Sequence, residues 1–248
     1  DYASPIHGVY PKRFHPPPIA MTDLPRIDAV MISHDHYDHL DMRTVQYLAS
    51  TGTRFVVPLG VGAHLDEWGV PKRQITELDW WGSTEFGGLT IICTPAQHYS
   101  SRGIFDYKAT LWSSWSVIGP KHRVFNSGDT GFADHFQKIG KRFGPFDLGI
   151  IRIGQYGPGA SWIYSNMNPE DAIKAHFAVE KRRTLPVHWA AAAVAPARLA
   201  RTFPDRPRNP PGPAVVASAI IWATVGRPTP RGVEMSRLSY LITTRSGS

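Results

Sequence analysis

The residues best suited to chemistry lie in one short stretch, residues 34–39, which reads HDHYDH. It contains three histidines and two aspartates within six residues. Imidazole nitrogen and carboxylate oxygen are ligands that suit a borderline divalent cation such as zinc. In an extended loop, alternation directs His34 and His36 to one side, whereas Asp38 and His39 can turn toward a second point. The stretch therefore predicts a site for two metal ions rather than a merely polar surface loop.

The element that presents this stretch is an apolar run, Ile27 to Ile32, which is typical of a buried strand. Three further predicted strands also end in a possible ligand: TPAQH presents His98, HRVFNSGDTG presents Asp129, and TLPVHW presents His188. Glycines flank Asp129, so its backbone can approach a ligand closely, and we interpret this residue as the natural bridging ligand. Strands that end in ligands and alternate with helices predict an α/β fold with its site along one edge of the sheets.

Helix starts and strand patterns fill the segments between these ligands. Asp41 can cap a helix that runs to about Ser50. Asn168, followed by proline, can cap a helix that runs to about Lys181. The stretch ATLWSSWSVIG, residues 109–119, alternates large apolar with small polar side chains, which predicts a half-exposed strand.

Composition and charge limit the classes of function. The chain has 248 residues, 42% of them hydrophobic, which is enough for one domain with a sizeable core. The net charge of +7 is uneven, because residues 1–189 carry 19 Lys and Arg against 18 acidic residues, whereas residues 190–248 carry 8 Arg against 2 acidic residues. The basic character belongs to the tail, so nucleic acid is not expected as a partner. Peripheral contact with an anionic membrane stays open, as does the oligomeric state.

Taken in order, the motifs HDHYDHLD, TPAQH, NSGDTGF, GPFDLGIIRIG, NPEDA and LPVHW resemble one branch of the metallo-β-lactamase fold superfamily. That branch is the N-acylphosphatidylethanolamine-hydrolysing phospholipase D and its bacterial relatives. The resemblance covers about residues 3–189 and implies an αββα sandwich. The chain could lack the first strands of that fold, because it begins beyond the point at which the family usually has a Gly-His motif.

The resemblance also implies a set of metal ligands and two Zn²⁺ per chain. One zinc would be held by His34, His36 and His98, the second by Asp38, His39 and His188, with Asp129 bridging them. Asp38 and Asp129 are the residues expected to take part in catalysis as well as in metal binding. We therefore expect a metallo-hydrolase domain at 1–189 and an irregular Arg/Pro/Ala-rich segment at 190–248.

The function that the resemblance implies is hydrolysis by a hydroxide that bridges the two metals. A small-molecule or lipid phosphodiester is the favoured substrate, and a lactonase or β-lactamase-like carbonyl hydrolase is the alternative, because the same hydroxide can attack either centre. A non-catalytic scaffold stabilised by its metals is a third interpretation. The family commonly has a histidine before the NPE motif, where this chain has Asn166, which removes a candidate proton donor or substrate-binding imidazole. No signal-like or membrane-spanning stretch is recognised, so we expect a location in the cytoplasm or at the periphery of a membrane.

Overall fold

In a computed structural model, strands and helices alternate along the chain as the sequence predicts. The structure describes residues 19–154, 160–180 and 182–188, and the backbone of two short strands at 221–224 and 237–239. Within these ranges the elements are β1 (Ala29–Met31), α1 (Met42–Ser50), β2 (Arg54–Pro58), α2 (Val61–Glu67), β3 (Ile75–Leu78), β4 (Ser83–Phe86), β5 (Leu89–Thr94), β6 (Ser114–Ile118), β7 (Arg123–Asn126), α3 (His135–Phe143), β8 (Leu148–Arg152), α4 (Pro169–Ala178), β9 (Thr184–Val187), β10 (Ile221–Thr224) and β11 (Arg237–Ser239).

The described strands form two sheets. One has the order β11-β10-β1-β2-β3, and the other has the order β4-β5-β6-β7-β8-β9. In the second sheet β6 is antiparallel to both β5 and β7, and β7, β8 and β9 are parallel to one another. Strands β5, β7, β8 and β9 therefore run in one direction and end at one edge of the sheet. This is the edge from which the predicted ligands His98, Asp129 and His188 follow.

Alternation along the strands explains why the two sheets stack and why each carries helices on its outer face. Val30 of β1 packs toward α1 and α2, whereas Met31 packs between the sheets. On the second sheet Val124 packs between the sheets, and Phe125 packs toward α3 and α4. The result is four layers, helices, sheet, sheet and helices, which confirms the predicted αββα sandwich.

Side-chain caps define the starts of α1 and α4, as the sequence predicts. Asp41 Oδ1 accepts a hydrogen bond of 2.8 Å from the backbone N of Thr44. Asn168 Oδ1 accepts an equivalent bond of 2.8 Å from the backbone N of Asp171. The predicted end of α4 at Lys181 is wrong, because the helix ends at Ala178 and the backbone of Glu180 has a φ of +52° that cannot continue a right-handed helix.

The prediction of a half-exposed strand at 109–119 is also wrong. The strand begins only at Ser114, and both of its faces are covered. Trp115 and Val117 face the other sheet, whereas Ser114 is buried and shares a hydrogen bond of 2.7 Å with Thr94 Oγ1. A central strand of a four-layer fold is covered on both faces. The alternation of large apolar and small polar residues therefore distinguishes the face toward the other sheet from the face toward the helices, and both are buried.

Two described strands lie in 190–248, for which irregular structure is predicted. β10 pairs antiparallel with β1, and β11 pairs antiparallel with β10. The prediction therefore fails for these two stretches, while the division at residue 189 stays a prediction. The remainder of 190–248 and residues 1–18 lie outside the described residues. Among the described helices, none has the length and apolarity needed to cross a membrane.

Candidate metal centre

Three histidines converge at the edge of the sandwich. His36 Nδ1 lies 2.9 Å from His34 Nε2 and 3.3 Å from His98 Nε2. With zinc–nitrogen bonds of about 2.0–2.1 Å, two nitrogens on adjacent corners of a tetrahedron lie about 3.3 Å apart. The three ring nitrogens are therefore spaced as the ligands of one metal ion would be.

A second group lies beside the first. His39 Nε2 lies 3.2 Å from His188 Nε2, and Asp38 Oδ2 lies 3.5 Å from each of these nitrogens. These distances also fit the edges of a tetrahedron around zinc. Asp38 and His188 are partly exposed, in contrast to the buried His34 and His98, so the centre opens to solvent on the side of the second group.

Asp129 lies between the two groups. Its Oδ2 atom is 3.4 Å from His39 Nε2 and 3.4 Å from His188 Nε2. The same oxygen is 3.9 Å from His98 Nε2, which belongs to the first group. The structure thus brings together all seven predicted ligands and places Asp129 where the bridging carboxylate is expected, while their role in holding metal stays a prediction.

Gly128 allows the Asp129 loop to reach this position. Its φ of +53° lies in the left-handed region, and a Cβ here would lie 2.7 Å from Ser113 O and 2.8 Å from Ser33 Cβ. The predicted close approach is therefore made to a neighbouring loop, next to His34, rather than to a ligand.

His188 also depends on a glycine. Its own φ is +62°, which is unusual for a residue with a side chain and cannot continue the extended backbone of β9. A Cβ on Gly154 would lie 2.5 Å from His188 O, so glycine is required where this turn packs on the end of β8.

Asp35, the remaining acidic residue of the 34–39 stretch, faces away from the ligand cluster. Its carboxylate is buried and accepts hydrogen bonds of 2.9 Å each from Ser101 N and Thr110 Oγ1. Arg102 Nη1 adds bonds of 2.6 Å to Asp35 O and 2.9 Å to Leu40 O. These contacts fix the outer side of the loop and so hold its histidines in place.

The outer ring nitrogens of the first group have partners that favour metal binding. His98 Nδ1 lies 2.7 Å from Ser165 O, a carbonyl that can only accept, so Nδ1 carries the proton and Nε2 keeps its lone pair. His34 Nδ1 lies 2.9 Å from the Ser33 hydroxyl, which can also accept. His98 is therefore held in the tautomer that a metal ion needs, and the Ser33 contact allows the same tautomer in His34.

Electrostatics divide the histidines. Burial, with help from the neighbouring imidazoles, lowers the pKa of His34 well below its ordinary value, and burial lowers the pKa of His98 to about 3. These two rings are neutral, as ligands must be. Burial would lower the pKa of His39 too, but the adjacent carboxylates of Asp129 and Asp38 outweigh it and raise that pKa to about 10.

The two aspartates are ionised. Burial alone would raise the pKa of Asp129, but the guanidinium of Arg152, together with the neighbouring His188 and His39, outweighs it and holds that pKa well below its usual range. For Asp38, His39 and His188 outweigh burial in the same way and lower the pKa. Both carboxylates can thus act as anionic ligands near neutral pH.

Arg152 is a member of the centre that the sequence analysis missed. It is buried at the end of β8, with Nε 3.2 Å from Asp129 Oδ1 and 3.4 Å from His188 Nδ1. The contact with Asp129 is an ion pair whose geometry does not meet hydrogen-bond criteria. One sequence feature could have revealed it, namely a single arginine within the apolar run FDLGIIRIG. An arginine that is buried in a strand needs a polar partner, so its position indicates a buried acceptor nearby.

Asn166 is the other partner of Arg152. Arg152 Nη1 donates a hydrogen bond to Asn166 Oδ1, and Asn166 Nδ2 donates one of 2.9 Å to Ser165 Oγ. The amide is buried and engaged at both ends. Asn166 therefore holds the guanidinium of Arg152 in place. The sequence analysis considered Asn166 only as a replacement for a histidine and did not predict this contact.

Two tyrosine rings, Tyr99 and Tyr107, connect the centre to an exposed apolar loop. The ring of Tyr99 lies 4.7 Å from His36 and 5.6 Å from Tyr107, measured between centroids. On the loop 101–108, Ile104 and Phe105 are 88% and 98% exposed. The sequence of this loop, GIFDY, has no pattern from which an exposed apolar surface was predicted.

Comparisons with known proteins agree with this geometry. The family described as "Beta-lactamase superfamily domain" matches residues 4–189. An uncharacterised protein of Mycobacterium tuberculosis is 48% identical over 200 residues, which cover 79% of this chain and 53% of that protein. The N-acyl-phosphatidylethanolamine-hydrolyzing phospholipase D 1 of Caenorhabditis elegans is 41% identical over 199 residues, which cover 76% of this chain and 56% of that protein. The chain thus spans about half the length of these curated relatives.

Among solved structures, an isothiocyanate hydrolase from Delia radicum gut bacteria shares the fold with a TM-score of 0.57. Its sequence identity is 19%, and the match covers 80% of this chain and 76% of that chain.

Proposed function

Because the chain belongs to the beta-lactamase superfamily, we propose that it is a dinuclear zinc hydrolase that acts on phosphodiesters. The observation that carries the proposal is the position of Asp129 Oδ2, 3.4 Å from His39 Nε2 and 3.9 Å from His98 Nε2. One carboxylate oxygen is thereby adjacent to both groups of ligands. A set of five imidazoles and two carboxylates also fits zinc better than it fits magnesium or calcium, which prefer oxygen ligands.

The residues divide the work of holding the metals. His34, His36 and His98 would hold one ion, Asp38, His39 and His188 the other, and Asp129 both. When bound, zinc supplies Lewis-acid chemistry, in that it lowers the pKa of a coordinated water and neutralises negative charge on the reacting group. The side that Asp38 and His188 leave open to solvent is where a substrate can enter.

Charge favours a phosphodiester over a neutral lactone or lactam. Two divalent cations together with Arg152 would outweigh the negative charges of Asp38 and Asp129, so the loaded centre keeps a net positive charge. A phosphodiester carries a negative charge that this field attracts, whereas an uncharged ester or amide gains little from it. The similarity to a phospholipase D points to the same substrate class.

The exposed loop supports a lipid substrate and peripheral contact with a membrane. Ile104 and Phe105 present apolar surface on the loop 101–108, and Tyr107 of the same loop packs against Tyr99, which in turn packs against His36. Apolar side chains at a loop tip can enter the boundary between headgroups and acyl chains, and cations near them favour an anionic surface. Lys108, whose Nζ lies 5.2 Å from the Tyr107 ring, supplies such a cation.

A substrate panel with measured metal content tests the proposal. The panel contains a bis-aryl phosphate, a phospholipid, an acyl-homoserine lactone and a cephalosporin. We expect turnover of the phosphodiesters that requires zinc. A clear preference for lactone or lactam would establish a carbonyl hydrolase instead, and full zinc occupancy without any turnover would establish a metal-stabilised scaffold. Fewer than about one zinc per chain, with no gain on adding zinc, would remove the dinuclear site itself.

A further inference from the structure

Arg152 places a fixed positive charge on one side of the metal centre. Its side chain is buried, and Nε lies 3.2 Å from Asp129 Oδ1 and 3.4 Å from His188 Nδ1. The guanidinium cannot swing away freely, because Nη1 is bonded to Asn166 Oδ1 and the backbone N of Arg152 is bonded to Ser127 Oγ at 3.0 Å. The charge therefore lies beside the second group of candidate ligands and is held there by these bonds.

The hydrogen-bond direction at His188 is opposite to that at His98. His98 Nδ1 faces Ser165 O, an acceptor, which leaves Nε2 free to bind a metal. His188 Nδ1 faces Arg152 Nε, which carries a hydrogen and can only donate. This contact favours a lone pair on Nδ1 and the hydrogen on Nε2, the nitrogen that points at Asp38 and His39. To bind a metal through Nε2, His188 must adopt the other tautomer and place two N–H groups face to face.

We propose that Arg152 makes the two metal positions unequal, so that zinc binds more weakly to Asp38, His39 and His188 than to His34, His36 and His98. The inference rests on the proposed dinuclear site and adds an order of filling to it. Two effects act together at the second position, repulsion between the guanidinium and a divalent cation and the loss of an acceptor for the outer nitrogen of His188. Outer-shell hydrogen bonds of this kind change metal affinity by about 10-fold to 100-fold.

The inequality has a consequence for how the protein would work. When zinc is limiting, the chain holds one ion in the buried position and leaves the open position to exchange with its surroundings. The second position lies on the solvent side, where Asp38 and His188 are partly exposed. Hydrolysis that needs both ions would then rise and fall with the concentration of free zinc.

Zinc titration of the metal-stripped protein against a competing chromophoric chelator tests the proposal. The wild-type protein should bind zinc in two phases whose affinities differ by at least about 10-fold. Arg152→Met should narrow this gap by about 10-fold, whereas Arg152→Lys, which keeps the charge but not the planar fork, should retain part of it. Arg73→Met, at an exposed position in a separate part of the fold, is the matched control and should leave both phases unchanged.

Single ligand variants assign the phases independently of whether Arg152→Met folds. His188→Ala should remove only the weak phase, and His98→Ala should remove the tight one. If two zinc ions bind to the wild-type protein in one phase with equal affinity, the inequality is overturned but the dinuclear site is intact. An unchanged difference in affinity in Arg152→Met, or loss of the tight phase in His188→Ala, would also overturn the inequality. Failure of the wild-type protein to take up any zinc would overturn the proposed centre and this inference with it.

Discussion

Arg152 and Asp129 form a buried ion pair, in which Nε lies 3.2 Å from Oδ1 and the side chains are 2% and 7% exposed. Removal of one member of a buried pair leaves an uncompensated charge at a cost of about 3–5 kcal/mol, whereas removal of both can be nearly neutral. In the metal-free protein we expect Arg152→Met and Asp129→Asn each to lower the free energy of unfolding by about 3 kcal/mol. The double variant should lose far less than the sum. Urea unfolding in the presence of a chelator measures all three, and strictly additive losses would show that the two groups do not interact.

The stability of the metal-free protein should fall on both sides of about pH 6.5. His39 has its pKa raised from 6.5 to about 10, so its contribution is complete below pH 6.5 and is lost as the pH rises toward 10. His98 has its pKa lowered from 6.5 to about 3, so its contribution is present above pH 6.5 and is lost as the pH falls toward 3. Melting temperatures measured with chelator from pH 4 to 10 should therefore form a dome.

Matched variants separate the two arms of this dome. His39→Gln should flatten the alkaline arm and leave the acid arm, while His122→Gln, at an exposed histidine, should leave both. An alkaline arm that persists in His39→Gln would show that another group is responsible.

Zinc binding should release a proton at the second position and not from His34 or His98 at the first. His39, with a pKa of about 10, is protonated near pH 7.5 and must lose its proton to bind a metal through Nε2. His34 and His98 have lowered pKa values and are already neutral. Calorimetry in buffers of different ionisation enthalpy should show a stronger buffer dependence for the weak phase, by about one proton from His39. Equal buffer dependence of both phases would contradict this assignment.

The sequence predicted which candidate ligands come together because each signal is local. A ligand that follows a strand can be recognised from a few neighbouring residues, and strands that run in one direction bring such residues to one edge. The role of Arg152 was not predicted because it depends on contacts with Asp129 and Asn166, which are distant in sequence. The burial of Ser114 was not predicted for the same reason, since the layers that cover it come from other parts of the chain.

The loop 101–108 should bind the protein to lipid. Replacement of Phe105 and Ile104 by serine removes the two most exposed large apolar side chains of the loop, so vesicle sedimentation should fall several-fold for vesicles that contain an anionic phospholipid. Turnover of a soluble bis-aryl phosphate should not change, because neither side chain is among the candidate ligands. Phe177→Ser, at an exposed phenylalanine on α4, is the matched control for loss of apolar surface. Equal loss of binding in the control would show that exposure alone, and not this loop, governs sedimentation.

Asn166→His distinguishes two roles for the residue before the NPE motif. The amide of Asn166 is bonded to Arg152 through Oδ1 and to Ser165 Oγ at 2.9 Å through Nδ2, so neither end is free to meet a substrate. We therefore expect the variant to disturb Arg152, to change rates for good and poor leaving groups by the same factor, and to alter the weak zinc phase. Asn166→Asp keeps an acceptor for the guanidinium but adds a negative charge that offsets it, so this variant should narrow the gap between the two zinc phases. A neutral amide cannot exchange a proton, whereas imidazole can, and general acid help is worth about 100-fold to 10,000-fold when a leaving group needs it. A selective gain of that size for alkoxide-leaving substrates, with the zinc phases unchanged, would show that imidazole acts as an acid here and that the hold on Arg152 is secondary.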